Sequence, residues 1–370
     1  MTYEILEYST TSVDFTPHDS RWIPHSARFV VLGETAKSTG RLGVFKLSDS
    51  GVTSVCETER DSGLKCCTFG SHTLPERFIA TGSLSGELET WDLEHASEPR
   101  SSFKAHRGAV NAIDGIGGGT HGIGALEIVT GGRDGTVKVW DTRQDSAVAI
   151  FKSVSASTCE CWCVAFGNSF DENERCVLAG YENGDVKMFD LRVGTVRYET
   201  NIANGVCSVE FDRKDITMNK FVATCLESQF VVFDARTQHP DDGFASVTQN
   251  SSVKTTIWGV RHLPQDREVF ATLLGDGSVA LYRYEYPVKR QRLCPAGKPQ
   301  GVAGSAKRIS STSLASQPIN SWDWHAEKTG LAVCSGFDQH VRVVVMTNWF
   351  LFTSKRINLT RRTRRYSAMP

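Results

Sequence analysis

The stretch EIVTGGRDGTVKVWDTR, residues 127–143, decides the fold of this chain. It begins with a short apolar strand, continues through the pair Asp134-Gly135, and ends with an alternating strand that reaches Trp140-Asp141. A polar residue followed by glycine suits a two-residue hairpin turn, because that turn needs backbone conformations with positive φ. The stretch therefore predicts two antiparallel strands joined by a tight turn.

The same pattern recurs along most of the chain. An apolar anchor residue closes each copy, and successive anchors lie 44 to 49 residues apart, with one longer interval of 62 residues. The anchors are Phe45, Trp91, Trp140, Phe189, Phe233, Tyr282 and Val344. A period of about 40–45 residues with four strands per unit is typical of WD-repeat propellers. Seven units occupy residues 1–346, so the sequence predicts an all-β, seven-bladed WD-repeat β-propeller.

The turns and the amino-terminal segment support this arrangement. Five of the seven units place a glycine five residues before the anchor, and the other two place Ser228 and Gln339 there. The glycines are Gly40, Gly86, Gly135, Gly184 and Gly277. The last unit lacks an outer strand of its own. Residues 3–10 alternate between apolar and polar side chains, as an outer strand does. We expect this segment to pair with the strand near Val345, which would remove an open sheet edge.

Composition and charge limit the classes of function. The net charge of −1 argues against general electrostatic binding of nucleic acid. The longest apolar run, residues 343–352, is too short to span a bilayer. The eleven cysteines are an odd number without a disulfide framework or a signal peptide. We therefore expect a cytoplasmic, monomeric protein with free thiols and no membrane contact.

Cysteines occupy every second position at Cys159, Cys161 and Cys163. Side chains two residues apart in a strand lie on the same side, so this spacing predicts that the three sulfur atoms share one face of the sheet. A zinc site is one interpretation, but zinc ligands usually come from CxxC knuckles, so buried free thiols are favoured. We expect neither a metal nor a cofactor.

Three segments depart from the repeat. Residues 115–124 contain GxGxxG, but a strand follows it rather than the helix that a dinucleotide site needs, so a loop is favoured. Residues 287–317 are rich in small and basic residues and account for the longest interval, which predicts a flexible insertion. Residues 347–370 form a basic tail that we expect to be disordered, either simply solvated or in contact with RNA or acidic partners.

One unit carries four residues that suit a buried hydrogen-bonded chain in a WD repeat: His106, Thr130, Asp134 and Trp140. Their types resemble a catalytic triad, but a satisfied structural network is the favoured interpretation.

Loops around the central channel are the expected binding surface of a propeller. The position two residues before the core of each innermost strand should emerge at the channel mouth. These positions are Ser20, Lys65, Asn111, Trp162, Cys207, Trp258 and Asn320, and residues before the turns add Arg133, Glu182 and Phe337. Tryptophan is enriched in binding hot spots, which points to Trp162 and Trp258 as partner contacts. The alternative is that both indoles fold inward and plug the channel.

Several strings go beyond what a generic repeat requires. They include NAIDGIGG from Asn111, CWCVAFGN from Cys161, ETNIANGVCSVEFDRKDITMNK from Glu199, FDARTQHPDDGFASV from Phe233, VRHLPQDREVF from Val260, YEYPVKR from Tyr284 and GVAGS from Gly301. With EIVTGGRDGTVKVWD, they closely resemble the Monad family of WD-repeat proteins, which are assembly factors for axonemal dynein arms. The resemblance runs from about Trp22 to Val345. The tail after Met346 has no counterpart in it.

The resemblance implies a non-enzymatic scaffold and co-chaperone adaptor in the cytoplasm. The implied partners are a prefoldin-like complex with RuvB-like AAA+ ATPases, a TPR co-chaperone, and dynein heavy chains as clients; the family has also been connected with apoptosis. A second hypothesis is a substrate receptor of a cullin-type ubiquitin ligase, since Asp-x-Arg follows three anchors, at residues 141–143, 190–192 and 234–236. A propeller enzyme is disfavoured because the predicted rim lacks clustered carboxylates and histidines.

Overall fold

The computed structural model describes residues 3–71, 73, 76–117, 122–152, 159–171 and 173–347. Within these ranges the chain forms thirty β-strands and one short 3₁₀ helix at Leu93–His95. The strands of the first third are β1 (Ile5–Ser12), β2 (Thr16–Trp22), β3 (Arg28–Glu34), β4 (Gly40–Ser48), β5 (Gly51–Arg60), β6 (Leu64–Thr68), β7 (Ile79–Ser83), β8 (Glu87–Trp91) and β9 (Ser101–Lys104). Those of the middle are β10 (Val110–Ile116), β11 (Glu127–Gly132), β12 (Thr136–Asp141), β13 (Ala147–Lys152), β14 (Cys161–Gly167), β15 (Cys176–Tyr181), β16 (Asp185–Asp190), β17 (Thr195–Asn201), β18 (Val206–Phe211) and β19 (Lys220–Cys225). The last are β20 (Gln229–His239), β21 (Gly243–Asn250), β22 (Ile257–Leu263), β23 (Asp266–Leu274), β24 (Ser278–Glu285), β25 (Gln291–Leu293), β26 (Pro299–Gly301), β27 (Ser305–Ser313), β28 (Ile319–Trp324), β29 (Leu331–Gly336) and β30 (His340–Met346).

These strands form seven four-stranded antiparallel sheets, which are the blades of a propeller. The first five blades are β2 to β5, β6 to β9, β10 to β13, β14 to β17 and β18 to β21. The sixth consists of β22, β23, β24 and β27, and the seventh of β28, β29, β30 and β1. The prediction of a seven-bladed all-β propeller is confirmed.

The amino-terminal strand closes the ring. In β1, Ile5 pairs with Met346 and Ser12 pairs with His340, so the start and the end of the propeller share one blade. Tyr3 and Ile5 are buried in the apolar cluster between the sixth and seventh blades. The predicted closure is confirmed, because the last blade obtains its outer strand from the start of the chain.

The apolar core lies between neighbouring blades. Middle strands such as β15 and β19 are buried at every residue, because each blade packs against a neighbour on both faces. Between the fourth and fifth blades, for example, Leu178 and Met188 of the fourth blade share one buried apolar cluster with Phe221 and Phe233 of the fifth. Outer strands alternate instead between exposed and partly buried residues, as β13 does. This packing holds the innermost strands rigidly around the channel.

The hairpin turns follow the sequence prediction in six blades. The residues with positive φ there are Gly86, Gly135, Gly184, Ser228, Gly277 and Gln339. The first blade differs, because its turn is longer and Ser38, with a φ of 62°, takes the left-handed position. Gly40 instead begins β4, where an added Cβ atom would lie 2.3 Å from the carbonyl oxygen of Ser62. Glycine at this position serves close packing rather than the turn, so the predicted role of Gly40 is wrong.

The segment 287–317 differs from the predicted flexible insertion. It contains β27, which pairs with β24 and is the outer strand of the sixth blade. It also contains the hairpin of β25 and β26, which lies against the fifth blade: an added Cβ on Gly301 would come within 3.1 Å of the Ala245 side chain. Outer strands are half-exposed and therefore polar, so their composition resembles that of a loop. The predicted disordered tail, residues 347–370, lies outside the described residues except for Thr347.

Candidate functional site

Every innermost strand carries a β-bulge at the same place. The register shifts by one residue near the start of β2, β6, β10, β14, β18, β22 and β28. The bulged residues, called here the rim positions, are His18, Lys65, Asn111, Trp162, Cys207, Trp258 and Asn320. A bulge inserts one unpaired residue and re-aims its side chain. Seven side chains are thereby turned out of the blades at one end of the channel.

Six of these seven agree with the sequence prediction, and the first does not. Ser20, predicted at the rim, is fully buried, and its N–H donates to the Ser321 Oγ at 2.9 Å. The sequence prediction took Trp22 as the first residue of the strand core, equivalent to Val164 in the fourth blade. In the structure Trp22 is instead equivalent to Phe166, two residues further along, so the bulge lies two residues earlier, at His18. The sequence did not indicate His18, because the innermost strand of the first blade has no valine at the position that aligns the innermost strands of other blades.

Polar rim positions bond to the next blade. The Asn111 amide donates to the Cys161 carbonyl at 3.1 Å, and the Asn320 amide donates to the Pro17 carbonyl at 2.6 Å. The His18 Nδ1 donates to the Leu64 carbonyl at 2.9 Å. Each accepting carbonyl belongs to the residue just before the next bulge. These three side chains therefore tie neighbouring blades together, so their hydrogen-bonding capacity is partly used within the protein.

The remaining side of the rim is apolar. Trp162, Cys207, Trp258 and Phe337, called here the aromatic arc, belong to four consecutive blades. Trp258 is 37% exposed and meets Phe337 edge to face, with ring centroids 5.8 Å apart. Trp162 is half-buried over the backbone of Gly205, where an added Cβ would lie 2.4 Å from the indole. Both tryptophans thus lean on the following blade.

Charged residues border the aromatic arc. Glu182 is exposed on the turn of the fourth blade. Arg133 is exposed, and its Nε lies 3.0 Å from Glu160 Oε1, which joins the third and fourth blades. Lys65 is half-buried on the opposite side of the rim. The structure therefore brings the predicted rim residues around one opening, with the aromatic ones grouped together.

The channel beyond the rim holds a cavity of about 670 Å³. Its lining comes from later residues of the innermost strands and from the segments that follow them, such as Arg21, Asp114, Glu210, Arg261 and Asp323. Among the described residues, neither Trp162 nor Trp258 borders this cavity. The two indoles rest on neighbouring blades instead of filling this cavity.

The cavity contains carboxylates that the sequence argument did not expect. Three of them accept a backbone N–H from the next innermost strand: Asp114 from Phe166 at 2.9 Å, Glu210 from His262 at 2.6 Å, and Asp323 from Trp22 at 2.8 Å. Each acid stands three residues after a rim position, a spacing that could have been recognised in the sequence. Each of these three acids therefore links two neighbouring blades through a hydrogen bond. None of the three is left without a partner within the protein.

Arginines neutralise part of this charge. Arg21 lies 3.3 Å from Asp19 and 3.8 Å from Asp323, and Arg261 lies 3.8 Å from Glu210. Burial raises the pKa of Asp323 to about 6, although Arg21 and the Trp22 N–H favour its ionised form. In the part of the chain that the structure describes, no cluster of His, Cys, Asp or Glu could hold a metal ion.

The four residues predicted as a structural network form one hydrogen-bonded chain. The Trp140 Nε1 donates to the Thr130 hydroxyl at 2.9 Å, which lies 2.7 Å from the His106 Nε2. The His106 Nδ1 then donates to Asp134 at 2.9 Å. Burial opposes ionisation of Asp134, but bonds from His106, Thr136 and the Arg107 N–H hold its pKa well below the usual value. His106, Thr130 and Trp140 are buried. The hydrogen-bonded network therefore connects β11, β12 and the turn between them.

The predicted single face for three sulfur atoms is wrong. The bulge at Trp162 lies between Cys161 and Cys163 and reverses the alternation of the strand. Cys161 packs with Cys159 between the third and fourth blades, whereas Cys163 packs between the fourth and fifth. Burial raises the pKa of both Cys161 and Cys163. They are apolar core residues on opposite faces of one blade.

No helix in the described ranges is long and apolar enough to cross a bilayer. Residues 97–141 match the family model described as WD domain, G-beta repeat. This match coincides with the end of the second blade and the first three strands of the third.

Curated relatives resemble the chain along nearly its whole length. It is 52% identical to dynein axonemal assembly factor 10 of Chlamydomonas reinhardtii, over 93% of this chain and 97% of that protein. It is 51% identical to the Xenopus laevis protein of the same name, over 93% and 96%, and 50% identical to the Homo sapiens protein, over 93% and 97%. The chain therefore belongs to the dynein axonemal assembly factor 10 family of WD-repeat proteins.

Proposed function

We propose that this protein is a non-enzymatic scaffold that assists the assembly of axonemal dynein arms in the cytoplasm. The observation that carries the proposal is identity of about half the residues, over nearly the whole chain, to relatives named as dynein axonemal assembly factors. The similarity covers 93% of this chain and 97% of the Chlamydomonas reinhardtii protein. The partners inferred from the family resemblance are a prefoldin-like complex, RuvB-like AAA+ ATPases and a TPR co-chaperone, with dynein heavy chains as clients.

We infer that partners bind at the aromatic arc. Trp258 is exposed and meets the half-buried Phe337 edge to face, and Trp162 is half-buried on the same rim, two blades before Trp258. Large aromatic side chains on a rigid scaffold bind at low entropic cost, because few torsions must be fixed. The charged border of Glu182 and the Arg133–Glu160 pair would add hydrogen bonds at the edge of such a contact.

One feature of the channel supports a role other than catalysis. The channel carboxylates Asp114, Glu210 and Asp323 each accept a backbone N–H from the next blade. A general acid or base needs a proton that it can exchange with a substrate, and these groups hold the ring together instead.

The alternative of a ubiquitin-ligase substrate receptor depended on three Asp-x-Arg sequences. In the structure, each aspartate caps the backbone N–H of its own arginine: Asp141 that of Arg143 at 3.0 Å, Asp190 that of Arg192 at 2.8 Å, and Asp234 that of Arg236 at 3.2 Å. These motifs thus have a local structural use, which favours the scaffold.

The test is affinity purification of the tagged full-length chain from cytoplasm of ciliating cells, quantified by mass spectrometry. We expect enrichment of RuvB-like ATPases, prefoldin-like subunits and dynein heavy chains. Recovery of cullin-ligase subunits without those ATPases would support the ubiquitin alternative and overturn the proposal.

A double variant tests the surface. Trp162→Ala with Trp258→Ala should lower partner recovery at least tenfold, as expected for loss of two hot-spot residues at about 1.4 kcal/mol or more in total. Tyr8→Ala is a matched control, because Tyr8 is an aromatic residue 51% exposed on the outer strand β1. Equal recovery with the double variant and the control would place the binding surface elsewhere.

A further inference from the structure

Acidic residues are concentrated on the side of the rim that carries the aromatic arc. In the fourth to seventh blades, the hairpin turns, the linkers that enter the innermost strands and the rim positions hold five acids and one cation among the described residues: Glu160, Glu182, Glu227, Asp276, Asp338 and Lys254. The same elements of the first three blades hold three acids and four cations: Asp14, Asp61, Asp134, Lys37, Lys65, Arg107 and Arg133. The negative side of the rim therefore coincides with the aromatic arc.

Three of the five acids on this side keep an uncompensated charge. Glu160 and Asp338 each pair with an arginine. The other three, Glu182, Glu227 and Asp276, are exposed and form no ion pair with a residue in the described ranges. The hydrogen bonds that Glu227 and Asp276 accept come from neutral groups, namely an amide, a backbone N–H and a hydroxyl. These three carboxylates are available to a cation from outside the protein.

Contacts place two of these acids on segments that touch Trp162 or precede it. The ring of Trp162 and the side chain of Leu226 cover the same glycine, and Glu227 directly follows Leu226. The Glu182 N–H donates to the carbonyl of Glu160, two residues before Trp162, at 3.0 Å. The half-buried indole is thereby flanked by one acidic turn of its own blade and one of the next.

The third acid belongs to the turn beneath Trp258. A Cβ atom added to Gly275 would lie 3.4 Å from the Trp258 Nε1, and Asp276 directly follows Gly275. Trp258 is 37% exposed and meets Phe337 edge to face. Each indole of the arc therefore combines accessible apolar surface with an unpaired carboxylate on an adjoining turn.

A lysine or arginine side chain satisfies both groups at once. Its aliphatic stem packs against an indole ring, and its cation is attracted both by the face of the ring and by a carboxylate. A phosphate or carboxylate group would be repelled by the same three acids. Apolar side chains next to the cation would cover the remaining aromatic surface.

We propose that the aromatic arc receives a segment of a protein partner in which Lys or Arg residues stand next to apolar residues. The apolar side chains pack on the arc, and the cations meet Glu182, Glu227 and Asp276. This chemistry rests on the proposed function, since it requires that partners bind at the aromatic arc.

A displayed library of random dodecapeptides identifies the preferred chemistry. The library is selected on the full-length chain, and peptides that also bind the variant Trp162→Ala with Trp258→Ala are removed. We expect the retained peptides to carry a net positive charge, with Lys or Arg next to apolar residues. Neutral or acidic retained peptides, or a failure to retain any peptide that needs the two indoles, would overturn the proposal.

The variant Glu182→Gln with Glu227→Gln tests two of the acids. Both side chains are exposed and glutamine preserves their shape, so the fold should not change. Fluorescence anisotropy of the tightest retained peptide should give a Kd raised at least about fivefold, as expected for the loss of two exposed charge pairs. The Kd should also rise between about 50 and about 200 mM salt.

The matched control is Glu4→Gln with Glu57→Gln. It changes the net charge equally, but both acids are exposed away from the rim, at the start of β1 and on β5. Its Kd should stay within about twofold of that of the unmodified chain. Equal effects of the two variants, or a Kd that does not respond to salt, would contradict the proposal.

Partner recovery from the cytoplasm of ciliating cells separates this proposal from the proposed function. A loss of RuvB-like ATPases with both the tryptophan variant and the Glu182→Gln, Glu227→Gln variant supports the basic segment. A loss with the tryptophan variant alone would mean that the arc binds its partner through other chemistry, so that only the basic segment is wrong. Full recovery with both variants would show that the arc is not the binding surface.

Discussion

The Arg290 guanidinium donates two hydrogen bonds of 2.7 Å each to the carboxylate of Asp234. Arg290 precedes β25, whereas Asp234 lies in β20, so this bidentate pair joins the hairpin of β25 and β26 to the fifth blade. The same guanidinium donates to the Asn219 side-chain oxygen at 2.8 Å and to its carbonyl at 3.0 Å. Asp234 has no exposed side-chain surface, so its charge depends on this partner.

Arg290→Ala should therefore lower the free energy of unfolding by about 3 kcal/mol, because it leaves a buried carboxylate without its cation. Urea unfolding followed by tryptophan fluorescence measures the loss. Arg292→Ala is the control: Arg292 is exposed and bonds only to Gln300 at 3.0 Å in the described contacts, so its loss should stay within about 0.5 kcal/mol. Similar values for the two variants would show that the hairpin does not depend on the buried pair.

Truncation of the buried tryptophan should be costly. Trp140 is 4% exposed and packs against Phe103 with ring centroids 5.1 Å apart. Trp140→Ala should destabilise the protein by about 3–5 kcal/mol, through lost contacts and the cavity that remains. The free energy of unfolding checks this value, and a cost near zero would show that Trp140 is not a core residue.

Removal of one hydroxyl isolates the hydrogen bonds of the same network. Thr130→Val keeps the shape of the side chain but leaves the Trp140 Nε1 and the His106 Nε2 without their shared partner. We expect a loss of about 2 kcal/mol, the cost of unsatisfied buried polar groups. An unchanged melting temperature would mean that water replaces the hydroxyl.

The rim tryptophans should be dispensable for folding. Trp258 is 37% exposed, so Trp258→Ala should lower the melting temperature by no more than about 4 °C. Trp162 covers Gly205 and is half-buried, so its truncation should cost more than that of Trp258. Calorimetry of the two single variants gives the order. The reverse order would indicate that Trp258 belongs to the core.

Asp134 makes the stability depend on pH in the acid range. Its folded-state pKa is held below the unfolded value of about 3.9, so the carboxylate stabilises the fold above that value and this contribution is lost as pH falls toward the folded pKa. The stability advantage of the natural chain over Asp134→Asn should be constant above about pH 5 and shrink below about pH 4. Unfolding curves at several pH values measure it. An advantage that grows toward acid pH would contradict the sign.

Much of the candidate site could be predicted because the repeat is local. A turn glycine such as Gly135 and an anchor such as Trp140 lie within one hairpin, so one pattern repeated seven times locates the rim to within a residue in six blades. The acids Asp114, Glu210 and Asp323 follow the rim at a constant spacing and were also within reach of the sequence. Ser20 was misplaced because the first blade has the most divergent core residues.

The remaining features depend on contacts between distant residues. The sequence by itself determined the number of blades and the strand order within each blade, because the hydrophobic and turn residues that set them repeat within about 50 positions. It also indicated the closing amino-terminal strand, because the last unit lacked an outer strand and residues 3–10 alternate between apolar and polar side chains, although Ile5 pairs with Met346 at the far end of the chain. Only the tertiary structure decided that a bulge sends Cys161 and Cys163 to opposite faces, that Trp258 meets Phe337, and that Arg290 reaches Asp234. The bulge is a register shift between β14 and β15 of one blade, whereas the other two contacts arise from the packing of one blade on the next, which brings together side chains that are far apart along the chain.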